Sequence, residues 1–525
     1  MSTAPALGRV YLVGAGPGDP ELITLRALRH LQQADVVLYD ALVHAELLRH
    51  APPGAERIFV GKRGGRVSER QTAINEKLVE AARAGHHVVR LKGGDPYLFG
   101  RGSEEAEALA AAGIPFEVVP GVPSPLAATA YAGLSLTHRD LASSVAYITA
   151  TESPEKDASS HDWGRLATAT QTLVIFMGRR RLPGLMRALM EHGRSPETPV
   201  AVVQWASLPR QRTVVGTVAD IHERVAAAGI GTPALTIVGE VVTLRDSLRW
   251  FDNKPLFGRR VLVTRAVDQA GALVARLRAA GADTLCLPTI RVEPPADLEP
   301  LRKVVAGPLS YRAVVFTSAN AVRAFFDELY AQDRDARALG TALVAAIGPK
   351  TADELRARGV RADLTPTDSR AEGILEALLS VVQPGDKVLL PRAKVAREVL
   401  PGSLRAAGVE VDVVTAYETL GPDQETRAAL RQALAADADE DGLPPVDTVA
   451  FTSSSTVRNL LDALAEDGAD AHALLAGRTL LSIGPVTSAT LRSAGLEPTL
   501  EASPHTVAAM VELLEHDAHT KTRST

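Results

Sequence analysis

The sequence is poor in cysteine, in aromatic residues and in long apolar runs. Cys286 is the single cysteine among 525 residues, which excludes an internal disulfide and a zinc site built on cysteines. No apolar run approaches the roughly 20 residues that a membrane-spanning helix requires. The 57 Lys and Arg residues against 62 Asp and Glu residues leave a net charge of −5, so electrostatics gives no reason to expect nucleic acid or an anionic membrane as a partner.

The remaining composition is that of a globular protein with several domains. Apolar residues make up 46% of the chain, and roughly 150 residues per domain predicts three or four domains. The first residues, MSTAPALGRVYLVGAG, lack the basic stretch and following apolar stretch of a secretion signal. Together with the single cysteine, this predicts a soluble protein of a reducing compartment, the cytoplasm.

Strand-like runs alternate with helical patterns, which predicts α/β architecture with largely parallel sheets. RVYLV (9–13) and DVVLYD (35–40) are short apolar runs followed by turns and helical spacing. Later runs, such as PVAVVQW (199–205) and TVVGTV (213–218), are richer in β-branched residues. These later runs predict some antiparallel strands.

The second half of the chain contains an internal repeat. FTSAN (316–320) recurs as FTSSS (451–455), 135 residues on, and IGPKT (347–351) recurs as IGPVT (483–487), 136 residues on. VLVTRA (261–266) is likewise similar to VLLPRA (388–393). The offset is too long for a solenoid repeat, so it predicts two similar α/β domains.

Two glycine-rich segments, GAGPGDP (14–20) and KGGDPYLFGRG (92–102), each follow a predicted strand. Ligands of open α/β sheets bind at the carboxyl ends of strands, and glycine lets them approach the backbone. One such loop alone is equally well a tight turn without a ligand, but two favour a shared pocket. The third glycine of a dinucleotide fingerprint is replaced by Asp19 or Glu21, which disfavours a nicotinamide oxidoreductase.

Charged residues near these loops suggest acid–base chemistry on an acidic substrate. Asp40 and Lys62 each follow a predicted strand, where a carboxylate and an ammonium group can exchange a proton with a ligand. Arginine binds carboxylates through two parallel hydrogen bonds, and the candidates are Arg63, Arg101 and Arg139. For each residue taken singly, a solvated surface charge is the plainer interpretation.

The repeated segments place hydroxyl groups after strands. Hydroxyls and backbone N–H groups at helix starts bind anions, although ordinary N-capping is the alternative. Tyr417, a lone tyrosine in TAYET, also follows a strand and is either functional or a packing residue. No nucleophile–base pattern, P-loop or metal-ligand cluster accompanies them, so no metal is predicted. The candidates in the repeated segments are Thr317, Ser318, Lys350, Thr452 and Ser453.

The ordered motifs VYLVGAGPGDPELITLRA, VVRLKGGDPYLFGRG, LTHRD and TLVIFMG resemble the uroporphyrinogen-III C-methyltransferases, which belong to the tetrapyrrole methylases. The second half, with FTSAN, IGPKTA, AYET and FTSSS, resembles uroporphyrinogen-III synthase. The resemblance implies a two-subdomain methylase fold followed by two doubly wound parallel α/β domains. It also implies a homodimer through the methylase half and a fusion of consecutive steps in sirohaem and cobalamin synthesis.

The resemblance also implies a methyl donor and roles for particular residues. The methylases use S-adenosylmethionine and release S-adenosylhomocysteine, whereas no prosthetic group is implied for the synthase. Asp40 and Lys62 match the family's proposed proton acceptor and donor, and Tyr417 matches a tyrosine proposed to assist loss of the substrate hydroxyl. The residues matched to the cofactor pocket are Pro17, Gly93, Gly94, Asp95, Leu98, Pro123, Ser124, Met177 and Ala206.

The predicted domain plan follows from these matches. Residues 1–250 form the methylase, with subdomains of about 1–140 and 141–250, and 251–260 form a linker. Residues 261–515 form the synthase, with a central domain of about 291–419 and a second domain from the flanking segments. Residues 516–525 are predicted to be a disordered tail.

Three other functions remain open at the level of sequence. The second half could bind a tetrapyrrole without catalysis, the first half could methylate another position, as the precorrin methylases do, and an oxidoreductase is disfavoured but not excluded. The leading hypothesis is a bifunctional enzyme that cyclises hydroxymethylbilane and methylates uroporphyrinogen III at C2 and C7.

Overall fold

The computed structural model describes residues 7–61, 70–151, 161–265, 267–307, 309–367, 371–435, 445–466 and 468–522. These residues form four five-stranded sheets, each covered by helices. Short 3₁₀ helices also occur, at Pro20–Leu22, Ala45–His50, Arg179–Arg181, Glu240–Leu244 and Ala336–Leu339. Among the described residues, no helix combines the length and the apolar character needed to cross a membrane.

The first sheet is entirely parallel, with the strand order β3-β2-β4-β1-β5. Alternate residues along its strands enter two separate cores, with Val13 and Leu91 on one face and Leu12 and Val88 on the other. Its strands are β1 (Arg9–Gly14), β2 (Val36–Tyr39), β3 (Glu56–Phe59), β4 (His87–Lys92) and β5 (Phe116–Val119). Its helices are α1 (Leu25–Leu31), α2 (Gln71–Arg83), α3 (Gly102–Ala111) and α4 (Ser124–Ala132).

The second sheet, with the order β6-β7-β10-β8-β9, is mixed. Only β6 and β7 pair in parallel, so the antiparallel strands expected from the β-branched runs are present. Its strands are β6 (Val145–Thr149), β7 (Thr172–Phe176), β8 (Pro199–Gln204), β9 (Arg212–Thr217) and β10 (Ala234–Val238). Its helices are α5 (Trp163–Ala169), α6 (Leu182–Glu191), α7 (Ile221–Ala227) and α8 (Arg245–Leu248).

Ten further strands form the last two sheets. The third sheet, β12-β11-β18-β19-β20, is parallel throughout, and the fourth, β13-β17-β16-β14-β15, is parallel except for the edge strand β13. The strands are β11 (Arg260–Val263), β12 (Asp283–Cys286), β13 (Arg291–Glu293), β14 (Ala313–Phe316), β15 (Leu343–Ala346), β16 (Lys387–Ala393), β17 (Glu410–Leu420), β18 (Thr448–Phe451), β19 (Thr479–Ser482) and β20 (Leu500–Glu501).

Helices cover both faces of these two sheets, as in a doubly wound fold. They are α9 (Val267–Ala279), α10 (Glu299–Ala306), α11 (Ala319–Ala331), α12 (Pro349–Ala357), α13 (Ala371–Leu379), α14 (Val399–Ala406), α15 (Gln424–Ala433), α16 (Ser454–Ala465), α17 (Ala471–Leu475), α18 (Pro485–Ser493) and α19 (Val507–Thr522).

The sequence repeat is a structural repeat. In the fourth sheet β16, β14 and β15 are neighbours, and the matching segments of the third sheet, β11, β18 and β19, are neighbours in the same order. The strands β13 to β17 span Arg291–Leu420, and the flanking segments build the third sheet. The α/β fold class predicted from the sequence is therefore confirmed.

The predicted tail (516–525) and the predicted linker (251–260) are more ordered than expected. The prediction of a disordered tail is wrong for residues up to Thr522, because α19 packs Leu514 and Ala518 into the core of the third sheet. Lys521 adds an ion pair of 2.8 Å to Asp517, one helical turn earlier. In the predicted linker, Phe251 and Leu256 are buried and Arg260 already begins β11, so this segment is packed in place.

Candidate functional site

The carboxyl edge of the first sheet holds three interlocked loops, which follow β1, β4 and β5. Gly16 and Gly94 exchange two backbone hydrogen bonds, with N···O distances of 3.2 and 2.9 Å. A Cβ atom added to Gly121 would lie 2.3 Å from the Gly94 carbonyl oxygen and 2.8 Å from the Gly14 Cα atom. Because the neighbours of Gly14 and Gly121 are backbone atoms, the loops close only if glycine occupies these two positions, whereas Gly16 and Gly94 have positive φ angles that favour glycine.

Asp95 fastens two of these loops together. One carboxylate oxygen accepts a hydrogen bond from the Tyr97 N–H at 2.8 Å, and the other accepts from the Gly121 N–H at 3.1 Å. Both oxygens therefore bind the protein's own backbone. Asp95 thereby shapes the loops that follow β4 and β5, and its assignment to the cofactor pocket stays a prediction.

The second sheet presents its turns to the first loop. The Ser207 hydroxyl donates to the Pro17 carbonyl at 2.5 Å and accepts from the Asp19 N–H at 3.0 Å. A Cβ atom on Gly18 would lie 2.5 Å from the Ala206 carbonyl oxygen. The Phe99 ring, in the loop after β4, lies 4.8 Å from the Phe176 ring at the end of β7. These contacts bring the two sheet edges together.

Strained backbone is concentrated in the same loops and turns. Six non-glycine residues have positive φ angles in the described part of the chain, and five of them lie here. A left-handed conformation costs free energy for residues with a Cβ atom, and such residues cluster at functional sites. The five are Phe99 (53°), Arg101 (60°), Met177 (54°), Trp205 (49°) and Ser207 (66°).

The predicted cofactor residues therefore lie on two facing edges. Pro17, Gly93, Gly94 and Asp95 lie on the loops of the first sheet, and Leu98 follows in the same loop and is half-buried. Pro123 and Ser124 start α4, with the Ser124 nitrogen 3.8 Å from the position of a Cβ atom on Gly94. On the other edge, Met177 follows β7 and Ala206 follows β8.

Large apolar side chains on these loops are exposed. Met177 is 50% exposed and Tyr97 is 53% exposed, although residues of this size usually pack inside a protein. Phe99 in the loop after β4, Leu42 after β2 and Leu126 in the first turn of α4 are also exposed. An apolar surface beside a glycine backbone suits a ligand with a flat apolar part and polar ends.

Asp40 lies directly after β2, at the same edge. One carboxylate oxygen accepts from the Leu42 N–H at 3.1 Å, and the other lies 3.9 Å from the nearest guanidinium nitrogen of buried Arg90. Its side chain is 26% exposed, so a ligand can reach it. The predicted partner Lys62 and the predicted substrate residue Arg63 lie outside the described residues.

The other two predicted arginines are both exposed. The Arg101 guanidinium forms two hydrogen bonds to Glu104, at 2.9 and 2.6 Å, just after the loop that follows β4. This pair raises the pKa of Arg101 and lowers that of Glu104. Arg139 lies in the connection between α4 and β6, within the turn closed by the His138–Ala142 bridge.

In the fourth sheet, Tyr417 and Ser318 meet. The Tyr417 hydroxyl lies 3.0 Å from the Ser318 hydroxyl, across 99 residues of sequence. Ser318 also caps α11, because its hydroxyl accepts from the Ala321 N–H at 3.1 Å. Tyr417 lies within β17 and not after a strand, as the sequence suggested, because β17 continues to Leu420. It is mostly buried, so its ring packs in the core while its hydroxyl contacts Ser318 at the start of α11.

The remaining hydroxyl candidates start helices at matching positions of the two sheets. Ser453 caps α16 in a capping box with Thr456, the equivalent of the Ser318 cap. Thr317 and Thr452 directly precede these caps, and the Thr452 hydroxyl oxygen is buried with no hydrogen-bond partner among the described residues. Lys350 is exposed in the first turn of α12. Ser318 and Ser453 thus perform the capping that was the alternative to anion binding.

Comparison with known proteins assigns each half to a family. Residues 9–222 match the family model of the tetrapyrrole (corrin/porphyrin) methylases, and residues 271–512 match that of uroporphyrinogen-III synthase HemD. A porphyrin biosynthesis protein HemD from Ruminiclostridium josui is 37% identical over 454 residues, covering 86% of this chain and 88% of that protein. The chain belongs to the tetrapyrrole methylases, fused to a uroporphyrinogen-III synthase. We call its two parts the methylase half and the synthase half.

Two further similarities are to C-methyltransferases. A uroporphyrinogen-III C-methyltransferase from Bacillus subtilis (strain 168) is 43% identical over 363 residues, covering 69% of this chain and 74% of that protein. A structure of uroporphyrin-III C-methyltransferase from Thermus thermophilus, complexed with S-adenosylhomocysteine, is 44% identical and covers 45% of this chain and all of that one, with a TM-score of 0.39.

Sequence reasoning missed two features of the methylase half. Ser207 is an ordinary serine in the sequence, and only its contacts with Pro17 and Asp19 reveal its part in the site. Glu105, in the Ala/Glu-rich SEEAEALAAAG, reads as a solvated helix charge but is completely buried. Its spacing from Ala106 and Leu109, which are also buried, was a usable signal for the inner face of α3.

Proposed function

We propose that the methylase half transfers methyl groups from S-adenosylmethionine to C2 and C7 of uroporphyrinogen III, giving precorrin-2. The observation that carries this proposal is the glycine-lined edge around Gly14, Gly94 and Gly121, which faces the strained turns at Met177 and Trp205. Membership of the tetrapyrrole methylases supports the reaction class.

The residues present fit S-adenosylmethionine. The Gly94 backbone has open space on the side where a Cβ would be, where the nearest atom is the Ser124 nitrogen at 3.8 Å, so polar ends of a ligand can approach the backbone. The exposed apolar side chains of Phe99 and Met177 can cover the adenine. When bound, the sulfonium supplies an electrophilic methyl group. The protein's task is then to align the acceptor carbon, methyl and sulfur with reacting atoms roughly 3–3.5 Å apart.

Asp40 is the proposed base of this reaction. After a pyrrole carbon is methylated, a proton must leave, and a carboxylate at the sheet edge can accept it. Its backbone hydrogen bond to Leu42 and the nearby Arg90 guanidinium hold the carboxylate at this edge. Lys62 remains the predicted proton donor.

Arginines are proposed to bind the acetate and propionate groups of the substrate. Arg101 is exposed and carries a planar fork suited to carboxylates. To bind substrate it exchanges Glu104 for a substrate carboxylate, which conserves its two hydrogen bonds. Arg63 and Arg139 are proposed for the same role.

The synthase half is proposed to convert hydroxymethylbilane into uroporphyrinogen III with inversion of ring D. Tyr417, oriented by Ser318, can donate a proton to the departing hydroxyl. The helix starts near Thr317, Lys350, Thr452 and Ser453 are proposed to hold the substrate carboxylates through N–H groups and hydroxyls. This chemistry requires no prosthetic group.

A paired incubation tests both proposals. Hydroxymethylbilane is supplied with and without S-adenosylmethionine, and the products are oxidised and separated by chromatography. Type III uroporphyrin without the methyl donor, and dimethylated products with it, are expected. Only type I products would show that the synthase half does not catalyse ring closure with inversion, and uroporphyrinogen III supplied directly then tests the methylase half alone.

Placement of the reaction in sirohaem or cobalamin synthesis, a cytoplasmic location and a homodimer through the methylase half complete the proposal. Their support is the family of each half and the α/β fold of the described residues, none of whose helices could cross a membrane. Light scattering of the purified chain would test the homodimer, for which twice the 55.5 kDa chain mass is expected.

A further inference from the structure

A buried network of charges lies beneath the proposed base of the methylase half. Glu105 on α3 is completely buried, and Arg90 and Lys92 on β4 are each 4% exposed. A buried charge is costly unless it is paired and hydrogen-bonded. Arg90 and Lys92 alternate with Leu91 along β4 and face the α2–α3 layer, where Glu105 lies.

Three donors converge on one oxygen of Glu105. Its Oε1 atom accepts from Lys92 Nζ at 2.9 Å, from Arg90 Nε at 3.1 Å and from Gln71 Nε2 at 3.2 Å. Gln71 is also 3.0 Å from the Asn75 Oδ1 atom, in the first turns of α2. The Oε2 atom of Glu105 has no partner among the described residues.

Both cations connect Glu105 to the site. Arg90 donates to Glu105 through Nε, and its Nη2 atom lies 3.9 Å from Asp40. Lys92 ends β4, and its carbonyl accepts from the Ala15 N–H at 2.8 Å in the first glycine loop. Arg90 is therefore the single residue between Glu105 and Asp40, and Lys92 is the single residue between Glu105 and the first glycine loop.

The balance of charge explains why the carboxylate is needed. Two cations and two anions form the group of Arg90, Lys92, Glu105 and Asp40. Burial and the neighbouring Arg90 already lower the pKa of Lys92. Without the Glu105 charge, Asp40 would be the one remaining anion of the group, and Arg90 would turn from its present position toward it.

We propose that Glu105 is a positioning residue for methyl transfer, which anchors Arg90 so that the Asp40 carboxylate stays available to the substrate. Glu105 itself is too deeply buried to touch a ligand. The inference rests on the proposed function of the methylase half, in which Asp40 is the base.

The test compares Glu105→Gln with Glu107→Gln, an exposed carboxylate on the same helix. For Glu105→Gln, kcat of methyl transfer is expected to fall about tenfold or more, because a small misplacement of a catalytic group has a large effect. KM for uroporphyrinogen III and Kd for S-adenosylhomocysteine should stay within about twofold. Glu107→Gln should resemble the wild type. An unchanged kcat, or a Kd raised as much as kcat is lowered, would overturn the proposal.

A double-mutant cycle tests the route through Asp40. Single-turnover methyl transfer with radiolabelled donor is measured for Asp40→Asn, Glu105→Gln and the double variant. Because Glu105 acts through Asp40, Glu105→Gln should change the residual rate of Asp40→Asn by less than about twofold. Fully additive losses would contradict the proposal.

Two outcomes need a separate interpretation: a Glu105→Gln variant that does not fold, and a wild-type chain that transfers no methyl group. If Glu105→Gln fails to fold, the charge-balanced pair Glu105→Gln with Lys92→Met is used, and the same kcat loss is expected because Arg90 has still lost its anchor; normal turnover in that variant overturns the inference. If the wild-type chain transfers no methyl group to uroporphyrinogen III, the proposed function fails. If the wild type is active and Glu105→Gln is equally active, only the positioning role of Glu105 fails.

Discussion

The candidate site of the methylase half is formed mainly by backbone, whereas that of the synthase half is formed mainly by side chains. In the methylase half, backbone approaches backbone, as where a Cβ on Gly121 would lie 2.3 Å from the Gly94 carbonyl. In the synthase half, the site candidates are side chains, such as Ser318 and Tyr417, mounted on helix starts and strand ends. Backbone approach demands glycine, whereas a helix cap accepts several residue types. This explains why the sequence motifs of the methylase half are more specific than those of the synthase half.

Gly121→Ala would test the dependence on backbone approach and should have the largest effect. The added methyl group would overlap the backbone of Gly94 and Gly14, so the methylase half should lose about 1–3 kcal/mol of unfolding free energy. Binding of S-adenosylhomocysteine, measured by calorimetry, should be lost. The control is Gly184→Ala on α6, where a Cβ meets nothing within 4 Å. Normal binding by Gly121→Ala would contradict the comparison.

Asp95→Ala removes the bond between two loops and leaves their glycines in place. The Tyr97 and Gly121 N–H groups lose their acceptor, and we expect binding of S-adenosylhomocysteine to weaken about 100-fold, since leaving polar groups unpaired costs about 1–3 kcal/mol each. Ring closure by the synthase half should be unchanged because domains bind ligands largely independently. Equal loss of both activities would show that the two halves do not act separately.

Tyr417→Phe tests the side-chain character of the synthase site. Loss of the hydroxyl should slow formation of type III product about 100-fold, if Tyr417 acts as a general acid, and leave methyl transfer unaffected. Tyr311→Phe is the matched control. Tyr311 lies just before β14, and its hydroxyl donates to Asp412 of β17 at 2.9 Å, so this variant also loses one tyrosine hydroxyl and its hydrogen bond. A Tyr417→Phe enzyme with the wild-type closure rate would return this residue to a packing role.

Ser318→Ala and Ser453→Ala would compare the two equivalent caps. Each loses the hydroxyl that caps a helix, which costs about 1 kcal/mol in unfolding free energy. Only Ser318 also touches Tyr417, so its loss should slow ring closure several-fold more than the loss of Ser453. Urea unfolding and the closure rate separate the two effects. Equal rates of ring closure in both variants would show that the contact of Ser318 with Tyr417 does not contribute to catalysis.

The smallest effect concerns the pH dependence of stability in the first sheet. His30 and His87 stack on Tyr11, with ring centroids 3.9 and 4.4 Å from it. Burial lowers the pKa of both histidines below the ordinary value of 6.5. The unfolded chain therefore binds protons first as the pH falls below 6.5, and stability decreases there until the folded state is also protonated.

Urea unfolding of the methylase half at about pH 7.5 and about pH 5.5 measures this decrease. The double variant His30→Gln with His87→Gln should lose less stability between the two values than the wild type. His86→Gln, an exposed neighbour, should behave as the wild type. A decrease of the same size in the double variant would place the titrating groups elsewhere.

The sequence by itself determined the features that depend on near neighbours along the chain. Asp19 and Pro20 start a 3₁₀ helix, in keeping with the general preference for Asp at an N-cap and Pro at the first helical position, and the Asp19 carboxylate accepts from the Glu21 N–H. The repeated FTS and IGP segments become equivalent strand ends and helix starts because capping and strand preference are local. The resemblance to two families also came from ordered local motifs.

Only the tertiary structure decided which residues meet. Ser207 reaches Pro17 across 190 residues and Tyr417 reaches Ser318 across 99, and neither distance is encoded in a local pattern. Burial turned Glu105 from an apparent surface charge into the centre of a network, and it turned the predicted tail into a packed helix. The physical reason is that residue type and spacing fix local conformation, whereas the partners of a side chain depend on how sheets and helices pack together.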